Sequence, residues 1–172
     1  MKIRLLTVLA ALAAVLSACG DGKASAPSVA QAADAGAVFS TAFPDLAGKE
    51  QPLKQWQGKV MVLNFWAPWC PPCREEVPDF IALQDKYRDR GVIFVGVAID
   101  EAQSVQSFID ETGINYPILL GGMNGVELSS KVGNRLGGLP FTAVIDRSGK
   151  IVSTHVGGLS KAQLEGTLQP LL

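Results

Sequence analysis

Cys70 and Cys73 stand three residues apart, separated by Pro71 and Pro72 and preceded by Trp66-Ala67-Pro68-Trp69. Two thiols at that spacing can close a small disulfide ring and reopen it by exchange. The pair follows the apolar run Val60 to Phe65 and precedes a segment with helical periodicity. That order predicts a strand-to-helix junction, with Cys70 near the amino end of the helix, where a thiolate is electrostatically favoured. Cys70 is the candidate attacking thiol, and Cys73, one turn inside the helix, is the candidate resolving thiol. So small a ring restricts the unfolded chain little, so its use is read as chemical rather than structural. A zinc site would need about four ligands. His155 is the one histidine, and it is read as a solvated or packed side chain. No metal is expected, and no cofactor beyond the redox-active Cys70–Cys73 pair.

The dipeptide between the cysteines bears on poise. Neither Pro71 nor Pro72 has an N–H to offer a Cys70 thiolate. No histidine lies in the motif to stabilise it by charge, and a negative Glu76 close by would disfavour it. A less stabilised thiolate makes the dithiol the better electron donor, so the pair is expected to reduce disulfides rather than to form them. Trp66 is expected in the core. Trp69 is expected to be partly exposed, as an apolar rim for docking. Asn64, in the middle of the preceding strand, is expected to be buried and hydrogen-bonded.

The rest of the chain supplies the frame. A short hairpin is predicted over Phe39 to Leu53, turning at Pro44 to Lys49, then one helical turn to Trp56 and a buried strand over Val60 to Phe65. The helix is predicted from Cys73 to about Arg90, bent at Pro78 and stopped by Gly91. A second buried strand spans Val92 to Ile99. A helix over Ser104 to Thr112, a strand over Pro117 to Leu120 and a helix over Val126 to Val132 follow. Phe141 to Ile145 and Lys150 to Val156 form a hairpin, and Ser160 caps a last helix. Strands alternating with helices predict an α/β fold, a mixed central sheet with helices on both faces.

The amino terminus reads differently. Lys2 and Arg4 precede an apolar stretch from Leu5 to Leu16, too short to span a bilayer and of the length of an export signal. It ends in Leu16-Ser17-Ala18-Cys19, which resembles the lipobox of bacterial lipoproteins; the plainer alternative is an ordinary cleaved signal with an incidental cysteine. The expected division is a signal peptide over 1–18, a lipidated flexible tether over 19–37 attached through Cys19, and a folded domain over 38–172. With Cys19 carrying lipid, the chain's three cysteines leave no odd thiol for an oxidising compartment. The net charge of −1 gives no reason to expect a nucleic-acid partner.

The run Gly58 to Pro78, with Gly96 to Asp100, Gly138-Leu139-Pro140-Phe141-Thr142 and Asp146 to Ile151, resembles the TlpA/ResA group of exported thioredoxin-like proteins over about Val38 to Leu172. The resemblance implies a thioredoxin-like fold with the hairpin as an N-terminal addition. It implies a cis peptide bond before Pro140 and a substrate contact through the backbone of Leu139, beside Pro71, Pro72 and Trp69. It matches Glu76 to a glutamate that tunes the thiols or shuttles their proton, and places Asn64 where thioredoxin has a buried aspartate. The expected function is a membrane-anchored thiol–disulfide oxidoreductase on the periplasmic side, reducing protein disulfides, with cytochrome c maturation as one pathway. It would act as a monomer and draw electrons from a membrane thiol transporter of the DsbD/CcdA type. Two alternatives stand beside it. A peroxiredoxin-like peroxidase needs a threonine near its cysteine, where this chain has Ala67, Pro68 and Trp69. The other is a binding module, a metallochaperone or docking lipoprotein; copper chaperones of similar fold space their cysteines by three residues and add a ligand histidine.

Overall fold

A computed structural model describes residues 33–172. The signal peptide, Cys19 and most of the expected tether lie outside the described residues. The chain runs β1 (Ala33–Asp34), α1 (Gly36–Phe39), β2 (Ala42–Pro44), β3 (Glu50–Pro52), β4 (Val60–Trp66), α2 (Pro71–Tyr87), β5 (Val92–Ala98), α3 (Ala102–Thr112), β6 (Ile118–Leu120), α4 (Gly122–Lys131), β7 (Phe141–Ile145), β8 (Lys150–Val156) and α5 (Lys161–Leu168). The six-stranded sheet has the order β1-β8-β7-β4-β5-β6, and β2 and β3 form a separate two-stranded sheet. β4, β5 and β6 are parallel, while β7, β8 and β1 are antiparallel to their neighbours. It is a thioredoxin-like fold with an N-terminal hairpin, as expected.

β4 is buried along its whole length, because helices cover both faces of the sheet. Side chains alternate along a strand, so β4 divides its residues between two cores. Val60, Val62 and Trp66 meet Phe80 and Leu83 of α2, Phe108 of α3 and Leu164 of α5. Met61, Leu63 and Phe65 meet Val38 of α1, Leu128 of α4 and Phe141 of β7. Asn64 has the parity of the first set and therefore faces α2. Gly91 and Gly113 take the left-handed conformation that closes the helical segments before them. Asp45 and Asp146 build the two hairpin turns alike: Oδ1 of each accepts backbone N–H groups two and four residues on.

Besides helix starts two residues early at Pro71 and Ala102, three boundaries differ further from the sequence reading. Residues 33–37 belong to the fold rather than to the tether: β1 pairs with Lys150 and Ile151 of β8, and Ala35 is fully buried. Phe39 closes a helical turn instead of opening the hairpin. α4 starts at Gly122, four residues before Val126. Its opening Gly121-Gly122 and Gly125 hide a helix from propensity reasoning. Packing explains two of these glycines: a Cβ on Gly121 or Gly125 would fall 2.3 or 3.0 Å from Val97 Cγ1.

Candidate active site

The site forms where β4 runs into α2. Cys70 is the residue capping α2, and Pro71 and Pro72 occupy its first two positions, where a missing N–H breaks no helical bond. Cys70 and Cys73 are joined by a disulfide across a Cα–Cα distance of 5.3 Å. Cys73 is sealed, and Cys70 retains only 4 % of its surface. Trp69 is 64 % exposed beside them, whereas Trp66 is buried, its ring tilted against Phe108. Both placements match the sequence reading.

One turn beyond Cys73, helical spacing brings Glu76 to the same face of α2. Its carboxylate is buried. Asn64 Nδ2 donates to Glu76 Oε1 at 2.8 Å and to Thr142 Oγ1 at 3.0 Å, and the backbone N–H of Leu159 donates to Glu76 Oε2 at 3.1 Å. The strand register explains the first two bonds: Asn64 and Thr142 lie directly opposite across β4 and β7. The third comes from the loop leading into α5, fixed by the capping box between Ser160 and Gln163. Burial pushes the Glu76 carboxyl up to about 7, against the pull of the Leu159 and Asn64 hydrogen bonds. In the poise expected from the sequence Glu76 counts as negative, whereas a carboxyl raised to about 7 is divided between acid and carboxylate near neutrality.

Because the Asn64 bond favours the charged form, Asn64→Ala should move the Glu76 pKa upward, above about 7. Carbon-detected NMR titration of the Glu76 carboxyl would check this. An unchanged or lowered midpoint would mean that Asn64 does not hold the carboxylate.

Across the disulfide, the Leu139–Pro140 peptide bond is cis. Among the described residues, no hydrogen bond engages the backbone N–H or C=O of Leu139, whereas Pro140 O accepts from Gly157 N at 2.8 Å. Trp69, Cys70, Pro71, Pro72 and Leu139 line one cavity of about 510 Å³, and Pro140, next to Leu139, is buried. The far wall was not read from the sequence: Ile99, Val126, Ser129, Asn134 and Gly137 complete it. Asn134 organises that wall. Its Nδ2 donates to Gly138 O at 2.9 Å and to Ser129 Oγ at 3.3 Å, tying the end of α4 to the residue before Leu139. The only hint in the sequence is an asparagine inside Gly133-Asn134-Arg135-Leu136-Gly137-Gly138, which marks a loop but not which way its side chain turns.

A thioredoxin-like sheet with a disulfide at the mouth of α2, beside a cis-proline loop, defines a thiol–disulfide exchange protein. The sequence matches the Redoxin family over residues 22–168. The thiol-disulfide oxidoreductase ResA of Bacillus thuringiensis (strain Al Hakam) is 36% identical over 128 residues, covering 74% of this chain and 72% of that protein. A thioredoxin-family thiol:disulfide interchange protein from Chlorobium tepidum TLS superposes with a TM-score of 0.69 at 30% identity, over 76% of this chain and 92% of that one. A secreted Mycobacterium tuberculosis disulfide oxidoreductase does so with a TM-score of 0.66 at 25% identity, over 77% and 97%. The chain belongs to the Redoxin family, as a ResA/TlpA-like thiol–disulfide oxidoreductase.

Proposed function

We propose that this oxidoreductase works outside the cytoplasm as a membrane-tethered reductant of protein disulfides. The observation that carries the direction of electron flow is the start of α2, where the residues after Cys70 are two prolines. A Cys70 thiolate receives no N–H from either position, so the dithiol is poised to give its electrons away. The Cys70 thiolate attacks a substrate disulfide, forms a mixed disulfide and expels one substrate thiolate. Cys73 then loses its proton and attacks the Cys70 sulfur, releasing the second substrate thiolate and leaving the Cys70–Cys73 disulfide. Two electrons pass to the substrate, and two protons complete its thiols. Glu76, able to hold or release a proton near neutrality, serves Cys73 in the second step. Leu139 pairs its free backbone groups with the substrate chain, and Trp69, Pro71 and Pro72 form the bed on which that chain rests.

The supporting case for location is the export signal with its lipobox-like Cys19 and the secreted mycobacterial relative. Among the described residues no helix is long and apolar enough to cross a membrane. The tether in this reading is a lipid on Cys19. An oxidising compartment cannot regenerate the dithiol, so a membrane thiol transporter of the DsbD/CcdA type is its electron source. Cytochrome c maturation, which needs reduced haem-attachment cysteines, is the pathway this suits, and a monomer is sufficient for it.

The test is the reduction potential of the protein, by equilibration with glutathione or dithiothreitol buffers. A value nearer the roughly −270 mV of thioredoxin than the roughly −120 mV of the strong oxidant DsbA is expected. A value above the glutathione range would make the protein a disulfide donor or isomerase instead.

A further inference from the structure

α5 is fastened to α2 at both of its ends. Towards its far end Glu165 accepts from Lys86 Nζ and Tyr87 Oη, and Leu164 and Leu168 enter the core they share with Phe80 and Leu83. At the near end the tie is Asp79, whose Oδ2 accepts from the backbone N–H of Lys161 at 2.8 Å. Lys161 is the first residue of α5, and its N–H is one of those that a helix start leaves without an intrahelical partner. Ser160 caps α5 from within, through Gln163 N. Asp79 caps it from a second helix, at the end where the helix dipole favours a negative charge. Asp79 stands one turn beyond Glu76 on α2. The two side chains take N–H groups two residues apart on one loop: Glu76 takes Leu159, and Asp79 takes Lys161. At its other end that loop is pinned by Gly157 N, which donates to Pro140 O at 2.8 Å. Gly157 and Gly158 give the loop backbone freedom, so the Leu159 N–H is aimed by the pins on either side of it.

We propose that Asp79 is a positioning residue for Glu76: by fixing the start of α5 it holds the Leu159 N–H on the Glu76 carboxylate. The inference rests on the reading in which Glu76 serves Cys73, and adds the residue that keeps one of its two donors in place. The other donor, Asn64, is fixed from the sheet by its register with Thr142. The Leu159 donor comes from a loop, and its support is Asp79. Glu76, Asp79, Leu159 and Ser160 line one cleft of about 330 Å³ where the starts of α2 and α5 meet. An N–H bonded to a carboxylate favours the charged form, so loss of the clamp makes Glu76 the weaker acid. Removing Asp79 also removes a negative charge one turn away, which acts in the opposite direction. The titratable and charged groups about Glu76 are Cys73, Glu75 and Asp79 on α2, Lys161 at the start of α5, and Tyr116 ahead of β6. Burial first and the Glu76 charge second push the Tyr116 hydroxyl up. A test of the clamp therefore compares variants of equal charge.

Two matched pairs cut the bond from either side. Asp79→Asn keeps an acceptor for Lys161 N, and Asp79→Ala does not. Lys161→Ala keeps the N–H, and Lys161→Pro removes it. Proline suits the first position of a helix, and Ser160 before it is already extended at φ −73° and ψ 155°. NMR titration of the Glu76 carboxyl in the oxidised full-length protein should give a midpoint about one pH unit higher in Asp79→Ala than in Asp79→Asn. Lys161→Pro should stand above Lys161→Ala in the same way. The pH inflection of mixed-disulfide resolution should move with the midpoint, which a cap that only stabilises α5 would not cause. Equal midpoints within both pairs overturn the proposal, whatever the loss in melting temperature. Equal midpoints within the Lys161 pair overturn it even where Asp79→Ala fails to fold. Midpoints that separate while the inflection of resolution stays at its wild-type pH support the clamp and remove Glu76 from the exchange, so the two readings fail separately.

Discussion

Cys70→Ser is expected to reduce disulfide exchange to the uncatalysed background, and Cys73→Ser to trap the protein on its substrate. The two outcomes differ because the two sulfurs do different work. Cys70 caps α2 at the mouth of the groove and keeps the only accessible surface of the pair. Serine there removes the one thiol of the pair that a substrate can reach, since a hydroxyl is not ionised near neutrality and does not attack sulfur. Cys73 is sealed inside the helix and meets only the sulfur of Cys70. Without it, the mixed disulfide forms but has no intramolecular thiol to resolve it. Non-reducing electrophoresis after mixing with an oxidised protein substrate reads both results. Cys73→Ser should give a band that vanishes with dithiothreitol, and Cys70→Ser none. Trapping by Cys70→Ser in place of Cys73→Ser would reverse the assignment. The fold should survive either change, because a four-residue ring constrains the unfolded chain by only about 2 kcal/mol on the chain-entropy account.

The thiols, the strand before them and the helix after them were legible because their signal is local. An apolar run, helical periodicity after it and a glycine stop each act within one turn or strand. The burial of Asn64 in mid-strand was legible too, but the side it shares with α2 follows only once the fold places the two cores on either face of β4. The partners of Glu76 were not legible. Thr142 reaches Asn64 only through the β4–β7 register, and the Leu159 N–H arrives from a loop 83 residues further along the chain. No periodicity encodes such meetings. Asn134 was missed for a related reason. Polar residues in glycine-rich loops usually face water, and this one turns inward to hold a carbonyl. The early start at β1 escaped because two residues pairing with the end of a sheet leave no pattern in composition.

Glu76 gives the largest pH effect expected of this protein, and its sign follows from burial. The carboxyl titrates at about 7 in the folded chain, against the ordinary 4.5. Between those values the folded protein holds a proton that the unfolded chain has lost. Folding stability from this group is therefore complete below pH about 4.5 and is lost as pH rises through about 7, by about 3 kcal/mol in all. Glu76→Gln should flatten that slope, although its amide must turn an N–H toward one of two donors, Asn64 or Leu159, and forfeits that bond. Urea unfolding of the oxidised protein from pH 4 to 8 measures the slope; an equal slope in both proteins would place the titration elsewhere. In the reduced protein the Cys73 thiol lies one turn before this carboxyl on α2. The wild-type rate of mixed-disulfide resolution should rise through neutrality as the carboxylate forms and accepts the Cys73 proton. Glu76→Gln should lose that inflection and about a hundredfold in rate, the lower end of what a positioned general base supplies. Stopped-flow resolution of a preformed mixed disulfide isolates this step. A variant that resolves at the wild-type rate with the wild-type inflection would leave Glu76 a buried acid with no part in the exchange.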